Sequence, residues 1–118
     1  MGQQLSKYGN IKVKINGYTF DSKKEAARYR ELQLLEKAGA ITELVVHPKF
    51  QLQPAFKDWH GIMIREITYT GDFGYIESGR YVVEDVKGGK ATQTQHFKDK
   101  VKNLKYKYPE LDFRILEE

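Results

Sequence analysis

Apolar and polar residues alternate at the start of the chain, in IKVKINGYTF (residues 11–20). Side chains at alternate positions of a β-strand point to the same face, so this pattern predicts strands with one apolar face. The dipeptide Asn16-Gly17 interrupts the alternation and is typical of a two-residue turn between antiparallel strands. The sequence therefore predicts an N-terminal β-hairpin.

A helix is predicted directly after the hairpin. Ser22 and Glu25 have the spacing of a capping box, in which the serine hydroxyl accepts a hydrogen bond from a backbone amide and the glutamate reaches back to the serine amide. Gly39 is typical of the residue that follows a helix. We expect this helix to begin at Ser22 and to end at Ala38.

The middle of the chain has mainly β character. Short runs of branched and aromatic residues are separated by proline, glycine or charged residues, as expected for strands and their connections. The predicted segments are an extended segment at 43–53 with a kink at Pro48, a loop at 55–61, and strands at 62–76 and 80–87 joined by the turn Glu77-Ser78-Gly79. This part of the chain thus supplies three strands of a sheet.

A second helix is predicted to begin near Thr92 or Thr94 and to end at Pro109. Its apolar residues recur with helical spacing on one stripe: Phe97, Val101, Leu104 and Tyr108. An alternating strand at 111–116 follows. After the hairpin the order is therefore α-β-β-β-α-β, which predicts an α/β fold with a mixed central sheet flanked by helices.

The length of 118 residues suffices for one domain with a hydrophobic core and is too short for two. We therefore expect residues 1–118 to form a single domain, with 1–10 as a flexible tail. No cysteine is present, which excludes disulfides, thiolate zinc sites and cysteine nucleophiles. No apolar run approaches the roughly 18 residues of a membrane span. These features predict a cytoplasmic protein with no membrane partner.

Positive charge is concentrated near the second helix. Residues 87–107 contain seven lysines and one acid, Asp99, in a chain with a formal net charge of +4. Lysines on a helix surface are usually solvated, but such a surface can also bind phosphates. The excess of lysine over arginine favours contact with the nucleic-acid backbone, because base readout is chiefly by arginine. The residues predicted to bind nucleic acid are Lys90, Lys98, Lys100, Lys102 and Lys105.

The two central strands carry charged residues where a sheet is normally apolar. Asp85 and Lys87 are two residues apart in one predicted strand and share a face, whereas Glu84 points to the other face. Antiparallel pairing across the turn places Asp72, in the preceding strand, opposite Asp85. Two carboxylates in this arrangement are destabilising unless a cation lies between them. Because all the donors are oxygens, Mg²⁺ or Mn²⁺ is the expected ion.

Two plainer interpretations of these charges stay open. Asp85 and Lys87 could form a simple ion pair at an exposed strand end, since the pattern Asp-x-Lys is too short to be specific. The protein could also be a non-catalytic, basic nucleic-acid-binding module. Such a module has no use for a carboxylate pair aimed at an anionic ligand, so the arrangement of Asp72 and Asp85 discriminates between the two functions.

Asp72, followed after twelve residues by Asp85-Val86-Lys87 within an α-β-β-β-α-β order, resembles the PD-(D/E)XK nuclease superfamily. More narrowly, the segments FDSKKEAARYRELQLLEKAGAI, YTGDFGYI and YVVEDVKGGKATQTQHFKDK are similar to a family of small phage-encoded proteins grouped with that superfamily, near the Holliday-junction resolvases and transposon-end nucleases. The resemblance covers about residues 10–116. Gly71 stands where the superfamily name has proline, at a position that is loose in this superfamily.

The resemblance implies a restriction-endonuclease-like fold and an endodeoxyribonuclease that depends on Mg²⁺ or Mn²⁺. It implies the catalytic residues Asp72, Asp85, Lys87 and Glu25, with Asp72, Asp85 and Glu25 as metal ligands. Lys87 would orient the attacking water or stabilise developing charge. The capping box also explains Glu25, so its metal role rests mostly on the resemblance. Glu84 is expected to lie outside the site unless a one-residue bulge exchanges it with Asp85.

DNA is the partner that this interpretation requires, and branched DNA such as a Holliday junction is the expected form. Symmetrical cutting of a junction needs two nicks, so we expect a homodimer paired through residues 11–20 or the edge strand 111–116. The alternative is a monomer that cuts DNA without structural preference. A phage-encoded enzyme of this kind would act in the cytoplasm of the bacterial host.

Three further residues are weaker candidates for DNA contact. Gln95 and His96 begin the second helix and could touch the phosphate. Trp59 lies in the predicted loop and could stack on an unpaired base, but a single tryptophan is more often packed in the protein. We therefore expect Trp59 to be packed.

Overall fold

A computed structural model describes residues 12–87 and 93–117 of the chain. The predicted tail at 1–10 and the predicted DNA contact Lys90 lie outside these residues. Within them the elements follow in this order: β1 (Val13–Ile15), β2 (Tyr18–Phe20), α1 (Lys23–Lys37), β3 (Thr42–Val46), β4 (Lys49–Gln53), β5 (Phe56–Lys57), β6 (Met63–Ile64), β7 (Ile67–Thr70), β8 (Phe73–Glu77), β9 (Arg80–Lys87), α2 (Gln95–Lys107) and β10 (Asp112–Glu117).

The N-terminal hairpin and the first helix form as predicted. Asn16 and Gly17 have φ angles of 52° and 86°, the left-handed conformation that a two-residue hairpin turn uses, and β1 pairs antiparallel with β2 around them. The Ser22 hydroxyl accepts a hydrogen bond of 3.2 Å from the Glu25 amide and so caps α1. The helix ends before Gly39, whose φ is 82°. Local sequence signals therefore account for both elements.

The central sheet has four strands in the order β10-β9-β8-β3. β8 pairs antiparallel with both β3 and β9, and β10 pairs parallel with β9. A parallel pair needs a crossover connection, which α2 supplies between β9 and β10. The prediction of an α/β fold with a mixed sheet and two helices is thus confirmed.

Two hydrophobic clusters lie on opposite faces of this sheet, because neighbouring residues of β9 point to opposite sides. Val82 packs with α1 in the first cluster, whose other buried members are Phe20, Ala26, Tyr29, Leu32, Ile41, Phe73 and Tyr75. Val83 pairs with Phe113, which packs with α2 in the second cluster. The helices therefore cover β9 from both sides.

The prediction of one strand over 62–76 is wrong. The chain forms β6, β7 and β8 there, and β7 pairs with β4 outside the central sheet. Side chains on one face of a strand recur every two residues, but Ile64 and Ile67 are three residues apart. This break in the alternation coincides with the end of β6. The second break is at Gly71, whose amide donates a hydrogen bond of 2.9 Å to the Pro48 carbonyl.

Residues 49–70 form an arm that is inserted between β3 and β8. β4 pairs with β7 in the part nearer the central sheet, and β5 pairs with β6 farther out. The loop predicted at 55–61 is therefore partly wrong, because β5 lies there and two residues are too few to give a periodic pattern. The predicted kink at Pro48 is confirmed, since it separates β3 from β4 and these strands belong to different sheets.

The second helix also forms as predicted. The Thr94 hydroxyl accepts a hydrogen bond of 3.1 Å from the Phe97 amide and caps α2, which ends before Pro109. The predicted stripe packs in the second cluster through Phe97, Val101, Leu104 and Tyr108. The last predicted strand, 111–116, corresponds to β10. In the part of the chain that the structure describes, neither helix is long and apolar enough to cross a membrane.

Candidate active site

Asp72 and Asp85 lie side by side at one end of the central sheet. The register of β8 and β9 pairs Phe73 with Glu84, so the next pair outward is Asp72 and Asp85. The Asp72 amide donates a hydrogen bond of 3.1 Å to Asp85 Oδ1, and the Val86 amide donates one of 2.7 Å to Asp72 Oδ2. The predicted proximity of the two acids is confirmed.

Gly71 allows β9 to pack against the segment that carries Asp72. A Cβ atom at position 71 would lie 2.7 Å from Val83 Cγ1, far closer than the 3.5–4.0 Å at which carbon atoms normally pack. The hydrogen bond from the Gly71 amide to Pro48 could not be made by proline, which has no amide hydrogen. The absence of the superfamily's proline therefore has a structural reason in this chain.

Glu25 is the third carboxyl group of the site, and its side chain is buried, with 6% of the residue surface exposed. Burial raises the pKa of Glu25 to about 7, and the charge of the neighbouring Asp72 adds to the effect, as does a hydrogen bond between the two side chains. The cap of α1 uses the backbone amide of Glu25, not its carboxylate. Ser22 is thus the cap of α1, and the Glu25 carboxyl group approaches Asp72.

Burial also raises the pKa of both aspartates. For Asp85, which is 4% exposed, the pKa rises to about 6, although the Lys87 charge and the Asp72 amide act in the opposite direction. Burial is the largest cause for Asp72 as well, and the Val86 amide and the charges of Lys87 and His47 partly offset it. The site therefore holds three carboxyl groups in surroundings that disfavour their charged forms.

Lys87 is held beside the two aspartates by α2. Its Nζ atom lies 4.2 Å from the centroid of the Phe97 ring, a distance typical of a cation–π contact. Its positive charge lowers the pKa of both Asp72 and Asp85. Phe97 thus has two roles, since it packs in the second cluster and also contacts the ammonium group of Lys87.

Glu84 lies on the opposite face of β9, as predicted, because the β8–β9 register runs without a bulge. It is fully buried, accepts hydrogen bonds of 2.9 and 2.6 Å from Arg28 Nε and Nη2, and accepts a further one from the Tyr75 hydroxyl. Arg28 is one turn beyond Glu25 on α1. The ion pair therefore fixes the helix that carries Glu25 to the strand that carries Asp85.

Sequence reasoning missed Arg28 and His47. The His47 amide donates a hydrogen bond of 2.9 Å to the Asp72 carbonyl, and the residue has a left-handed φ of 57°. No local sequence pattern identifies His47 as part of the site, because a single histidine before a proline is not specific to any function. Arg28 was detectable only by its helical spacing of three from Glu25.

The predicted DNA-binding lysines of α2 differ in their surroundings. Lys98, Lys102 and Lys105 are exposed, as expected for contacts with phosphates. Lys100 instead donates a hydrogen bond of 2.9 Å to the Thr68 carbonyl and so fastens α2 to β7. The Gln95 side-chain amide donates a hydrogen bond of 2.8 Å to Asp99 Oδ1, and His96 is exposed. Lys98 follows directly after Phe97, which contacts Lys87.

Comparison with protein families gives one match, to a profile described as "Protein of unknown function (DUF1064)", over residues 5–116. The chain belongs to the DUF1064 family. Neither a curated protein nor a solved structure matched it. The DUF1064 match covers the elements described above, including the arm, except for Glu117 at the end of β10.

The DUF1064 site offers oxygen donors that suit a hard divalent cation. Among residues 12–87 and 93–117, no group of three carboxylate or imidazole side chains is arranged to hold a metal ion. Glu25 and Asp72 are neighbours, as are Asp72 and Asp85, but the three do not form a ready ligand set. Asp85 Oδ1 accepts a hydrogen bond from the Asp72 amide, and Asp85 Oδ2 accepts none from the described residues. The donor chemistry fits Mg²⁺ or Mn²⁺.

The DUF1064 protein is expected to lose stability as the pH rises from about 4.5 to about 7. The pKa of Glu25 is raised from 4.5 to about 7, so in this range the folded protein retains a proton that the unfolded chain has lost. Glu25→Gln should reduce this loss and exceed the wild type in stability at about pH 8 by on the order of 2 kcal/mol. Near pH 4 the two proteins should be similar.

Urea unfolding followed by circular dichroism between about pH 4 and pH 8 measures this effect. Glu110→Gln, at an exposed position, is the matched control and should follow the wild-type curve. Parallel curves for Glu25→Gln and the wild type would show that Glu25 does not retain its proton in the folded protein.

Proposed function

We propose that this DUF1064 chain is a metal-dependent endonuclease that hydrolyses phosphodiester bonds of DNA, with Asp72, Asp85, Lys87 and Glu25 in its active site. The observation that carries the proposal is the burial of neighbouring carboxyl groups, Glu25 beside Asp72 and Asp72 beside Asp85, with Glu25 6% and Asp85 4% exposed. Such burial of like charges destabilises a protein, and it is concentrated at functional sites. A protein that only binds an anionic polymer gains nothing from it.

The order of elements supports the same conclusion. Without the arm and the N-terminal hairpin, the chain follows α1, β3, β8, β9, α2 and β10, which is the α-β-β-β-α-β order of the nuclease superfamily that the motif resembles. Asp72 precedes the second of these strands, and Asp85 and Lys87 are on the third. We therefore propose a restriction-endonuclease-like core with the arm as an insertion.

The roles of the residues follow from their positions. Asp72 and Asp85 would hold one or two Mg²⁺ or Mn²⁺ ions, and Glu25 would complete the set of oxygen donors. When bound, such an ion activates water and neutralises charge on the phosphate. The ammonium group of Lys87 has three hydrogens to donate to the attacking water or to phosphate oxygens. Phe97 restricts where that group can lie, because it contacts it from α2.

The exposed lysines of α2 would bind phosphates on either side of the cleaved bond. Lys98 is next to Phe97, so the start of this helix lies beside the site. Contacts of this kind read the backbone and not the bases, which suits an enzyme that recognises DNA shape. The preference for branched DNA and the homodimer stay predictions. β10 is an edge strand of the central sheet, which supports its use as a dimer contact.

A cleavage assay with chosen metals tests the proposed function. The protein is incubated with linear, nicked, flapped and four-way DNAs in Mg²⁺, Mn²⁺, Ca²⁺ or excess EDTA. We expect cleavage in Mg²⁺ and Mn²⁺, and binding without cleavage in Ca²⁺, whose larger and looser coordination shell is poorly suited to activating water. Preferred cutting of the four-way DNA would support a junction enzyme.

Two results would contradict the proposal. Undiminished cleavage in excess EDTA would exclude a metal-dependent mechanism. Binding to all the DNAs without cleavage in any metal would favour the alternative function, a basic nucleic-acid-binding module. A protein that cuts linear and four-way DNA equally would remain a nuclease but would not be selective for junctions.

A further inference from the structure

Trp59, the single tryptophan of the chain, is 91% exposed at the tip of the arm. The expectation that it is packed is therefore wrong. Three other apolar side chains of the tip are also exposed: Phe56 at 46%, Ile62 at 60% and Met63 at 58%. Exposure of so many apolar groups on one short projection indicates a binding surface.

The turn that carries Trp59 is held in one conformation by Asp58. Asp58 Oδ1 accepts hydrogen bonds from the amides of His60 at 2.8 Å and Ile62 at 2.9 Å. The Asp58 amide also donates a hydrogen bond of 2.9 Å to the Ile62 carbonyl. The Asp58 carbonyl accepts one of 2.9 Å from the Gly61 amide. His60 contacts the Trp59 ring edge to face, with ring centroids 4.8 Å apart. The indole is therefore presented by an ordered turn, which lowers the entropy cost of binding.

The charges around the tip favour an anionic ligand. Lys57, on β5, and Arg65, directly after β6, are exposed, and neither forms an ion pair with another described residue. The nearby acids are already engaged, since Asp58 accepts the turn amides and Glu66 accepts a hydrogen bond of 2.9 Å from Gln51. The tip thus combines an open aromatic ring with two free cations.

The arm connects this tip directly to the candidate active site. At its base the His47 amide bonds to the Asp72 carbonyl and the Gly71 amide bonds to the Pro48 carbonyl, each at 2.9 Å. Twelve residues lie between Trp59 and Asp72, so the backbones of these two residues are at most roughly 45 Å apart. This upper limit corresponds to roughly 13 base pairs of DNA, given the rise of 3.4 Å per base.

We propose that Trp59 stacks on an unpaired base of DNA bound at the active site, while Lys57 and Arg65 contact the adjoining phosphates. This inference rests on the proposed function and specifies its substrate as DNA with an unpaired base near the cleaved bond. An aromatic ring flanked by cations is the usual means of binding single-stranded nucleic acid.

Tryptophan fluorescence provides a direct test, because Trp59 is the only indole of the chain. The protein is titrated in EDTA, so that no cleavage occurs, with a duplex that contains a short single-stranded gap and with the same duplex intact. Stacking predicts strong quenching by the gapped DNA and little by the intact DNA. Anisotropy of labelled DNA then measures the affinity of variants.

Trp59→Ala should weaken binding of the gapped DNA about 10-fold and change binding of the intact duplex less than about twofold, as expected from the loss of one base–aromatic stack. Trp59→Phe should retain most of the affinity. Tyr106→Ala is the matched control, because Tyr106 is 89% exposed on α2, outside the arm, and it should have no effect. Circular dichroism identifies any variant that fails to fold, and the wild-type quenching does not depend on the variants.

The outcomes separate this inference from the proposed function. Selective quenching together with no cleavage in any metal would support stacking and exclude the nuclease. Cleavage that depends on Asp85, with equal binding of gapped DNA by Trp59→Ala and the wild type, would support the nuclease and exclude stacking. Equal loss of affinity for gapped and intact DNA would also overturn it. A Trp59-dependent dimer in sedimentation would assign the tip to a protein interface instead.

Discussion

Asp85→Asn is expected to lower the rate of DNA cleavage by at least about 100-fold, the usual loss when a charge-stabilising group is removed from an active site. Asparagine has the same shape as aspartate, and its side-chain oxygen can still accept the hydrogen bond from the Asp72 amide. The fold should therefore persist. DNA affinity should be unchanged or higher, since a negative charge is removed from a site that we propose to bind phosphates.

Single-turnover cleavage in Mg²⁺ and DNA binding in Ca²⁺ measure the two effects separately. Asp99→Asn is the matched control, because Asp99 is exposed on α2 and bonds only to Gln95 among the described residues. It should cleave at the wild-type rate. An Asp85→Asn variant with full activity would remove Asp85 from the catalytic site and leave the nuclease proposal without its central residue.

Arg28→Met is expected to destabilise the fold by roughly 3–5 kcal/mol, the usual cost of removing one partner from a buried ion pair. Glu84 is 0% exposed and receives two hydrogen bonds from Arg28, at 2.9 and 2.6 Å. Without the guanidinium, the buried carboxylate would keep the Tyr75 hydroxyl as its one donor among the described residues. Methionine retains much of the apolar stem, so the measured change reports mainly on the lost charge.

Urea unfolding at neutral pH measures this loss of stability. Arg30→Met is the control on the same helix, at an exposed position, and should change stability by less than about 0.5 kcal/mol. The double variant Arg28→Met/Glu84→Gln should regain part of the loss, because a buried amide is less costly than an unpaired carboxylate. A stability of Arg28→Met within about 1 kcal/mol of the wild type would show that the ion pair does not hold α1 on β9.

The elements with local signals could be predicted from the sequence. Asn16-Gly17 specifies the hairpin turn, Ser22 and Thr94 specify the helix starts, and the stripe of α2 follows from its period. The arm could not be predicted, because its strands are two to five residues long and pair outside the central sheet. Which sheet a short strand joins is decided by tertiary packing, and the alternating pattern contains no information about it.

The candidate site was partly predictable for a related reason. Asp72 directly precedes β8, and Asp85 and Lys87 are on the neighbouring strand β9, so a single turn fixes the register and the proximity of these residues follows from spacing. Glu25 reaches Asp72 only because α1 packs on the sheet, and Arg28 and His47 depend on contacts that are equally distant in sequence. Long-range packing therefore determines the positions of Glu25, Arg28 and His47, which a short sequence motif does not reveal.

The position of the arm also has an evolutionary consequence. The arm leaves the core after Pro48 and returns to it at Gly71, and the Gly71 amide donates a hydrogen bond to the Pro48 carbonyl, so the core geometry is closed at the base of the arm. A change in the length of a loop costs little, since doubling it adds only about 0.6 kcal/mol. Selection can therefore alter the tip, and with it the contact that we propose for Trp59, while the register that holds Asp72 beside Asp85 is inherited unchanged.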